Sequence, residues 1–498
     1  MVLLGIDLGS SSVKAALVDV DTGRTVSVGQ YPSTEMAIDA PQPGWAEQDP
    51  AAWWDAAQRA VAAALGEAHL DGDAVSAIGI AYQMHGLVCL DAAGQPLRPS
   101  IIWCDSRAVA IGDEAFAALG EERCLTHLLN SPGNFTASKL RWVAQHEPDV
   151  FERIHKVCMP GDYLAARLTG QAVTTVSGLS EGMFWDFVSG GPAKFLLEHY
   201  GIPPEILAPT VPTFGHQGEL SSEAAAAFGL TAGTPVTYRA GDQPNNALSL
   251  NVLNAGEVAA TAGTSGVVYG VSDAVKYDPQ SRINSFAHVN HASESSGGDP
   301  RIGLLLCVNG TGIANAWAKR LVGGDLDYAA LNDLAAAAPI GCDGLTVLPF
   351  GNGAERMLGN AEVGAHLGHA DFNRHDRAHI ARAVQEGIAF AFGYGMDILR
   401  DTGVDLSVIR AGRANLFLSP LFRQTLANLT GARIELYDTD GAVGAARGAG
   451  VGAGVYGSFA EAFASLEQVG VTEPADDERD ATLQAYRRWN YELQKHLT

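Results

Sequence analysis

Val2-Leu-Leu-Gly-Ile6 is an apolar run, Asp7-Leu-Gly-Ser-Ser-Ser12 interrupts it with turn-forming residues, and Val13-Lys-Ala-Ala-Leu-Val18 resumes it. Two strands joined by a tight Gly/Ser turn is the reading this pattern supports. Asp21-Thr-Gly23 supplies a second turn into a third strand. The layout returns in the second half of the chain. Glu257-Val-Ala-Ala-Thr261 reads as a strand, Ala262-Gly-Thr-Ser-Gly266 as a turn and Val267-Val-Tyr269 as a strand. A chain of 498 residues is long enough for two large domains. The repeated hairpin predicts two similar ones, 1–249 and 250–498.

The intervening segments alternate in type. Asp49-Pro50 has the residues of a helix start, with a helix expected through Trp53, Trp54 and Ala57 to about Leu65. Ala74–Ile80 reads as a strand, Ile313–Leu321 as a helix, Leu345–Pro349 as a strand and His379–Arg400 as a long helix, with Val408–Ala411 as the last good strand. This alternation predicts an α/β class. Gly441–Ala460 is rich in small residues and contains Arg447, which suits a tightly packed helix rather than a membrane span.

Composition removes several function classes. The net charge of −24 opposes nucleic-acid binding and a polybasic membrane grip. With 47% apolar residues the chain is not disordered. The six cysteines, at 89, 104, 124, 158, 307 and 342, form no CxxC pair. Reduced thiols, a cytoplasmic location and no structural zinc are expected. The first residues lack the basic start of a signal peptide.

The candidate chemistry lies at the turns. A Gly/Ser/Thr turn gathers backbone N–H groups and hydroxyls at one point, so it can hold a phosphate without net positive charge. Asp7 precedes the first turn and Lys14 follows it. A carboxylate beside a phosphate site needs an intervening cation, which suggests Mg²⁺. Two ordinary hairpins are the competing interpretation. Pro235–Arg239 reads as a strand leading to Ala240-Gly241-Asp242-Gln243 at the domain break, which puts Asp242 beyond a strand end. There it could accept a proton from an attacking hydroxyl, or act only as a helix cap. Tyr82-Gln-Met-His-Gly86 and Ile101-Ile-Trp-Cys-Asp-Ser-Arg107 add polar groups and an aromatic wall suited to a small polyol. Gly178-Leu-Ser-Glu-Gly182 matches a hydrolase nucleophile elbow, but Met183-Phe-Trp-Asp-Phe187 is a poor opening for the helix that an elbow requires.

Together these segments resemble the FGGY family of carbohydrate kinases, in the actin, hexokinase and heat-shock ATPase superfamily, and within it the xylulokinase branch. The resemblance rests on Gly5–Lys14, Gln83–Gly86, Ile102–Arg107, Phe135-Thr-Ala-Ser-Lys-Leu-Arg-Trp142, Gly241-Asp242, Gly263-Thr-Ser-Gly266 and Arg377–Gly387. It implies two ribonuclease-H-like (actin/hexokinase-type ATPase) domains around a central cleft. It implies ATP as cosubstrate, Mg²⁺, and phosphorylation of D-xylulose at its terminal hydroxyl to D-xylulose 5-phosphate. Asp242 would be the general base, and Met84, His85, Trp103 and Gln243 would line the ketose site. Asp7 would position Mg²⁺ and the phosphates. Ser10, Ser11, Ser12 and Lys14 would form the first phosphate loop, Gly263 and Thr264 the second, and Gly310, Gly412 and Asn415 would hold the nucleotide. Gln243 stands where many members of the branch carry Asn, and Ala411-Gly-Arg-Ala-Asn415 replaces the usual glycine-rich adenine motif. The partners expected are a small sugar and ATP, with no nucleic acid and no membrane; a homodimer is the assembly considered. A kinase for ribulose, gluconate or glycerol is the alternative within the family. A non-sugar ATPase of the superfamily and a sugar-sensing regulator are the alternatives outside it.

Overall fold

The computed structural model describes residues 1–292 and 298–497. Two compact units emerge. The first comprises Met1–Asn251, Phe286–Ile302 and Thr439–Leu466; the second comprises Val252–Ser285, Gly303–Asp438 and Glu467–Thr498. The main break falls next to residue 250, and two later segments return to the first unit.

The strands of the two main sheets are numbered in chain order. The first sheet contains β1 (Val2–Leu8), β2 (Val13–Asp19), β3 (Thr25–Tyr31), β4 (Val75–Tyr82) and β5 (Val236–Gly241), in the order β5-β4-β1-β2-β3. The second contains β6 (Glu257–Ala262), β7 (Gly266–Ser272), β8 (Asn284–Ala287), β9 (Ile302–Val308), β10 (Val408–Gly412), β11 (Arg433–Tyr437) and β12 (Gln468–Thr472), in the order β8-β9-β7-β6-β10-β11-β12. The helices that matter to the site and its packing are α1 (Pro50–Ala68), α2 (Val176–Glu181), α3 (Asp242–Ser249), α4 (Thr311–Gly323), α5 (Arg377–Asp401) and α6 (Gly441–Gly452).

Both sheets are built on one plan. An antiparallel hairpin, β1-β2 or β6-β7, sits in the middle. On one side of each hairpin run two parallel strands, β4 and β5 in the first sheet and β10 and β11 in the second. The repeated hairpin read from the sequence is therefore a repeated sheet. Two strands follow Val408–Ala411, which the sequence presents as the last good one. Arg433-Ile-Glu-Leu-Tyr437 is short and alternates charged with apolar residues, and Gln468-Val-Gly-Val-Thr472 is an edge strand with Val469 and Val471 exposed. Neither has the continuous apolar run that marks a central parallel strand.

Glycines set how closely the helices approach the first sheet. A Cβ on Gly5 would stand 1.9 Å from the Ala442 carbonyl oxygen, and one on Gly79 would stand 2.0 Å from that of Ala445. The small-residue helix α6 thus rests directly on β1 and β4. It ends at Gly452, short of the expected Ala460. A Cβ on Gly29 would stand 2.1 Å from Ala60 O of α1. Gly29 is in register with Ala15, and Ala15 with Ile6, one residue on from Gly5. Successive strand residues face opposite sides, so α1 and α6 cover opposite faces of the sheet. Asp49 caps α1 by accepting from Ala51 N at 2.9 Å, as its sequence predicts.

Candidate functional site

The chemistry-bearing turns of the first unit share one edge. β1, β4 and β5 are mutually parallel, so Leu8, Tyr82 and Gly241 end side by side. The Gly/Ser turn follows the first, Gln83-Met84-His85 the second and Asp242 the third. Ligand sites in open α/β sheets gather at such carboxyl edges. Asp7 is in register with Ala81, and Ala81 with Ala240. This brings Asp7 and Asp242 together across three strands, although they lie in distant parts of the sequence.

Their electrostatics agree with the proximity. Burial, then the Asp7 charge, push the Asp242 carboxyl up from 3.8 to about 7, while hydrogen bonds from Gln243 pull the other way. Burial, then Asp440, push Asp7 up to about 6, with Lys14 opposing. Both side chains are half-buried: each keeps accessible surface, but protein fills most of its surroundings. Asp440 caps α6 by accepting from Val443 N at 2.9 Å, and a Cβ on Gly441 would stand 2.2 Å from Asp7 Oδ2. Gly441 O accepts from Asn245 Nδ2 at 2.8 Å. The first turn of α6 thus closes over Asp7, and only a glycine leaves room for the carboxylate.

Of the first-turn residues, Ser12 O accepts from Gly9 N at 3.1 Å and Ser11 O accepts from Met36 N at 2.7 Å. Lys14 lies opposite Asp7 in the ladder. Ser10 Oγ accepts from Trp103 Nε1 at 3.3 Å, which brings the 52%-exposed Trp103 ring to this turn. Met84 is 4% exposed and approaches Gly241, where a Cβ would stand 2.6 Å from Met84 Cγ.

His85 adopts a left-handed φ of 61°. Its Nδ1 lies 3.0 Å from Glu181 O. A carbonyl only accepts, so Nδ1 carries a proton that points there. Phe135 and Phe286 pack against the ring. Lys139 Nζ donates to His85 O and to Ile102 O, both at 2.9 Å. Burial pushes Lys139 down to about 7, against the field of Asp105.

Glu181 and Lys139, to which their sequence segments assign no role, belong to the same neighbourhood. Glu181 sits inside the apparent nucleophile elbow, which the fold turns into the short helix α2. Ser180 is buried there, donating to Ser177 O at 3.2 Å and accepting from Ala287 N at 2.9 Å, which suits packing and not nucleophilic attack. The Glu181 carboxyl is buried near Gly241, and its pKa is raised well above the usual range, first by burial. Tyr82 eases the ionised form without making a well-directed bond to it.

The second unit presents its own pocket, about 460 Å³, at the repeated hairpin. Gly263, Thr264 and Asn415 line it, with Ile313, Tyr328, Leu416 and Leu418 as its apolar wall. Asn415 also has a left-handed φ, 53°, and its Nδ2 would stand 3.4 Å from a Cβ on Gly263. Gly263 O accepts from Gly312 N at 2.9 Å and from Thr311 Oγ1 at 3.2 Å, which joins α4 to the turn. Gly310 precedes α4 at φ 69°, where a Cβ would strike Asn352. Gly412 ends β10. Neither Gly310 nor Gly412 is on the pocket wall.

Among the described residues no cluster of three or more His, Cys, Asp or Glu side chains could hold a metal unaided. Mg²⁺ commonly binds through one or two carboxylates plus substrate phosphates, and the repelling pair Asp7 and Asp242 fits that use. No described helix is long and apolar enough to cross a membrane.

Comparison with known proteins shows the family. Residues 2–249 match the N-terminal domain of the FGGY family of carbohydrate kinases, and residues 258–453 match its C-terminal domain. The chain is 33% identical over 450 residues to the xylulose kinase of Escherichia coli K12, covering 90% of this chain and 88% of that one. It is 31% identical to the L-xylulose/3-keto-L-gulonate kinase of the same organism, covering 93% and 90%. The crystal structure of xylulose kinase from Rhodospirillum rubrum superposes with a TM-score of 0.87 at 28% identity, covering 99% of each chain. With its two hairpin-centred sheets matched by both family domains, this chain belongs to the FGGY family of carbohydrate kinases, with their two-domain actin/hexokinase-like fold.

Proposed function

We propose that this chain transfers the γ-phosphoryl group of ATP to the terminal hydroxyl of D-xylulose, giving D-xylulose 5-phosphate and ADP, with Asp242 as general base. The observation that carries the reading is the Asp242 carboxyl at a strand's carboxyl end, raised to about 7 beside the Met84-His85 turn and Asp7. A base near the working pH is half-ionised yet basic enough to draw a proton from a hydroxyl.

In the reaction the sugar oxygen forms a bond to the γ-phosphorus as the bond from that phosphorus to the ADP oxygen breaks. The hydroxyl proton passes to Asp242. Phosphoryl transfer needs chiefly positioning and charge stabilisation. His85 lines the sugar site, Met84 and Trp103 supply apolar surface, and Gln243 steadies Asp242. Ser10, Ser11, Ser12 and Lys14 serve the phosphates in the first unit. In the second, Gly263, Thr264 and Asn415 serve the nucleotide, and Gly310 and Gly412 shape the backbone beside them. Asp7 would hold Mg²⁺, which neutralises phosphate charge when bound. Mg·ATP and a free sugar as partners, and a cytoplasmic setting, go with this reading.

The test is ADP release with Mg·ATP and a panel of D-xylulose, L-xylulose, D-ribulose, L-ribulose, gluconate, glycerol and no sugar. A kcat/KM preference for D-xylulose is the expected result. The similarity to the L-xylulose/3-keto-L-gulonate kinase favours one second reading, L-xylulose as acceptor. Equal ADP release with and without every sugar would refute both.

A further inference from the structure

Gln48 is 4% exposed and lies just ahead of α1. Its amide is fully engaged. Nε2 donates to Ser10 O at 2.7 Å and to Ala37 O at 3.2 Å. Oε1 accepts from Trp53 Nε1 at 3.0 Å and from Gln83 Nε2 at 3.1 Å. Two donors and two acceptor sites are all that an amide offers, so the network fixes its orientation. Trp53, 1% exposed, anchors the hub to the core.

The two ends of this network matter for the reaction. Ser10 is in the turn that serves the phosphates, and Gln83 directly precedes Met84 and His85. A backbone bond from Gln83 N to Leu8 O, 2.7 Å, already joins the two turns at their base. Gln48 carries the connection outward to Ser10, two residues beyond Leu8. We propose that Gln48 is a positioning residue that sets the distance between the phosphate-holding turn and the sugar-holding turn. It touches neither substrate. The inference rests on the kinase reading, because it takes its meaning from what those turns hold.

Misplacing reacting groups by about 1 Å can cost about 100-fold in rate. A loosened phosphate turn should therefore lower kcat more than it raises either KM. It should also let water replace the sugar hydroxyl as acceptor, so that ATP and water yield ADP and inorganic phosphate. That partition is a readout that a loss of stability alone would leave unchanged.

Two variants remove the link in different ways. Gln48→Leu abolishes all four bonds. Gln48→Glu keeps the shape and both acceptor bonds but cannot donate to Ser10 O. Gln83→Leu cuts the other end and serves if either Gln48 variant fails to fold. The measurement is ADP and sugar phosphate formed in the same reaction with D-xylulose, alongside the melting temperature. The expected result is a kcat fall of about 100-fold for Gln48→Leu, with more ADP per sugar phosphate than in wild type. The double variant Gln48→Leu/Gln83→Leu should be no worse than the poorer single one, since both cut one path. Folded variants that keep the wild-type ratio of ADP to sugar phosphate would overturn the proposal, whatever their melting temperature. A wild-type enzyme that phosphorylates no sugar of the panel would instead bring down the kinase reading, and this inference with it.

Discussion

Asp242→Asn keeps the side-chain shape and removes the charge, so it separates the chemical task of Asp242 from its cost to folding. Burial, then Asp7, raise this carboxyl from 3.8 to about 7, just over three pH units. At about 1.36 kcal/mol per unit, the ionised form costs the folded chain at most about 4 kcal/mol. The folded-state pKa is raised, so the stability is fully present below the unfolded value of 3.8, falls as pH rises above it and has reached its floor once pH passes about 7. Wild type and variant should melt most alike near about pH 4, the variant should melt higher by a margin that grows up to about pH 7, and the margin should be level at about pH 8.5. Turnover should fall about 10²–10⁴-fold, the usual contribution of a general base. The assay is thermal melting of the ligand-free protein across that pH range, paired with sugar-dependent ADP release. A stability difference that is constant with pH would refute the electrostatic reasoning, and near-normal kcat would refute the role as base.

Other substitutions separate the remaining parts of the site. Asp7→Asn should move the Mg²⁺ midpoint for activity upward about tenfold or more, measured by Mg²⁺ titration at saturating ATP; an unchanged midpoint would remove Asp7 from the metal site. Asn415→Ala should raise the KM for ATP about five-fold, the loss of one hydrogen bond of about 1 kcal/mol, and leave the sugar KM as it is. Gly5→Ala should destabilise the first unit by about 3 kcal/mol, read from denaturant melts, because the new Cβ meets the backbone of α6 and not a side chain that can swing away.

The parts of the fold that could be read beforehand were those specified locally. The Gly5–Lys14 hairpin and its repeat at Glu257–Tyr269 announce themselves through β-forming runs and turn residues whose meaning does not depend on distant contacts. Helix α1 was legible from Asp49-Pro50, because a cap and a first-turn proline act within a few residues. β11 and β12 were not, because their strand identity comes from pairing. Arg433-Ile-Glu-Leu-Tyr437 is held by β10, and Gln468-Val-Gly-Val-Thr472 by β11.

The site divides along the same line. Asp7, the serine turn, Met84, His85 and Asp242 carry their chemistry in their residue types and stand at strand ends, so the sequence by itself determined which groups were available. It also determined the family, because several specific segments recur together in order. Only the tertiary structure decided the environment of those groups. The pKa of Asp242 depends on Asp7, that of Asp7 on Asp440, and the Nδ1 hydrogen bond of His85 on a carbonyl 96 positions away. Gln48, Lys139 and Glu181 are ordinary residues until the chain folds. Burial and hydrogen-bond partners are properties of neighbours in space, and nothing in a residue's own type or local spacing encodes which neighbours it will have.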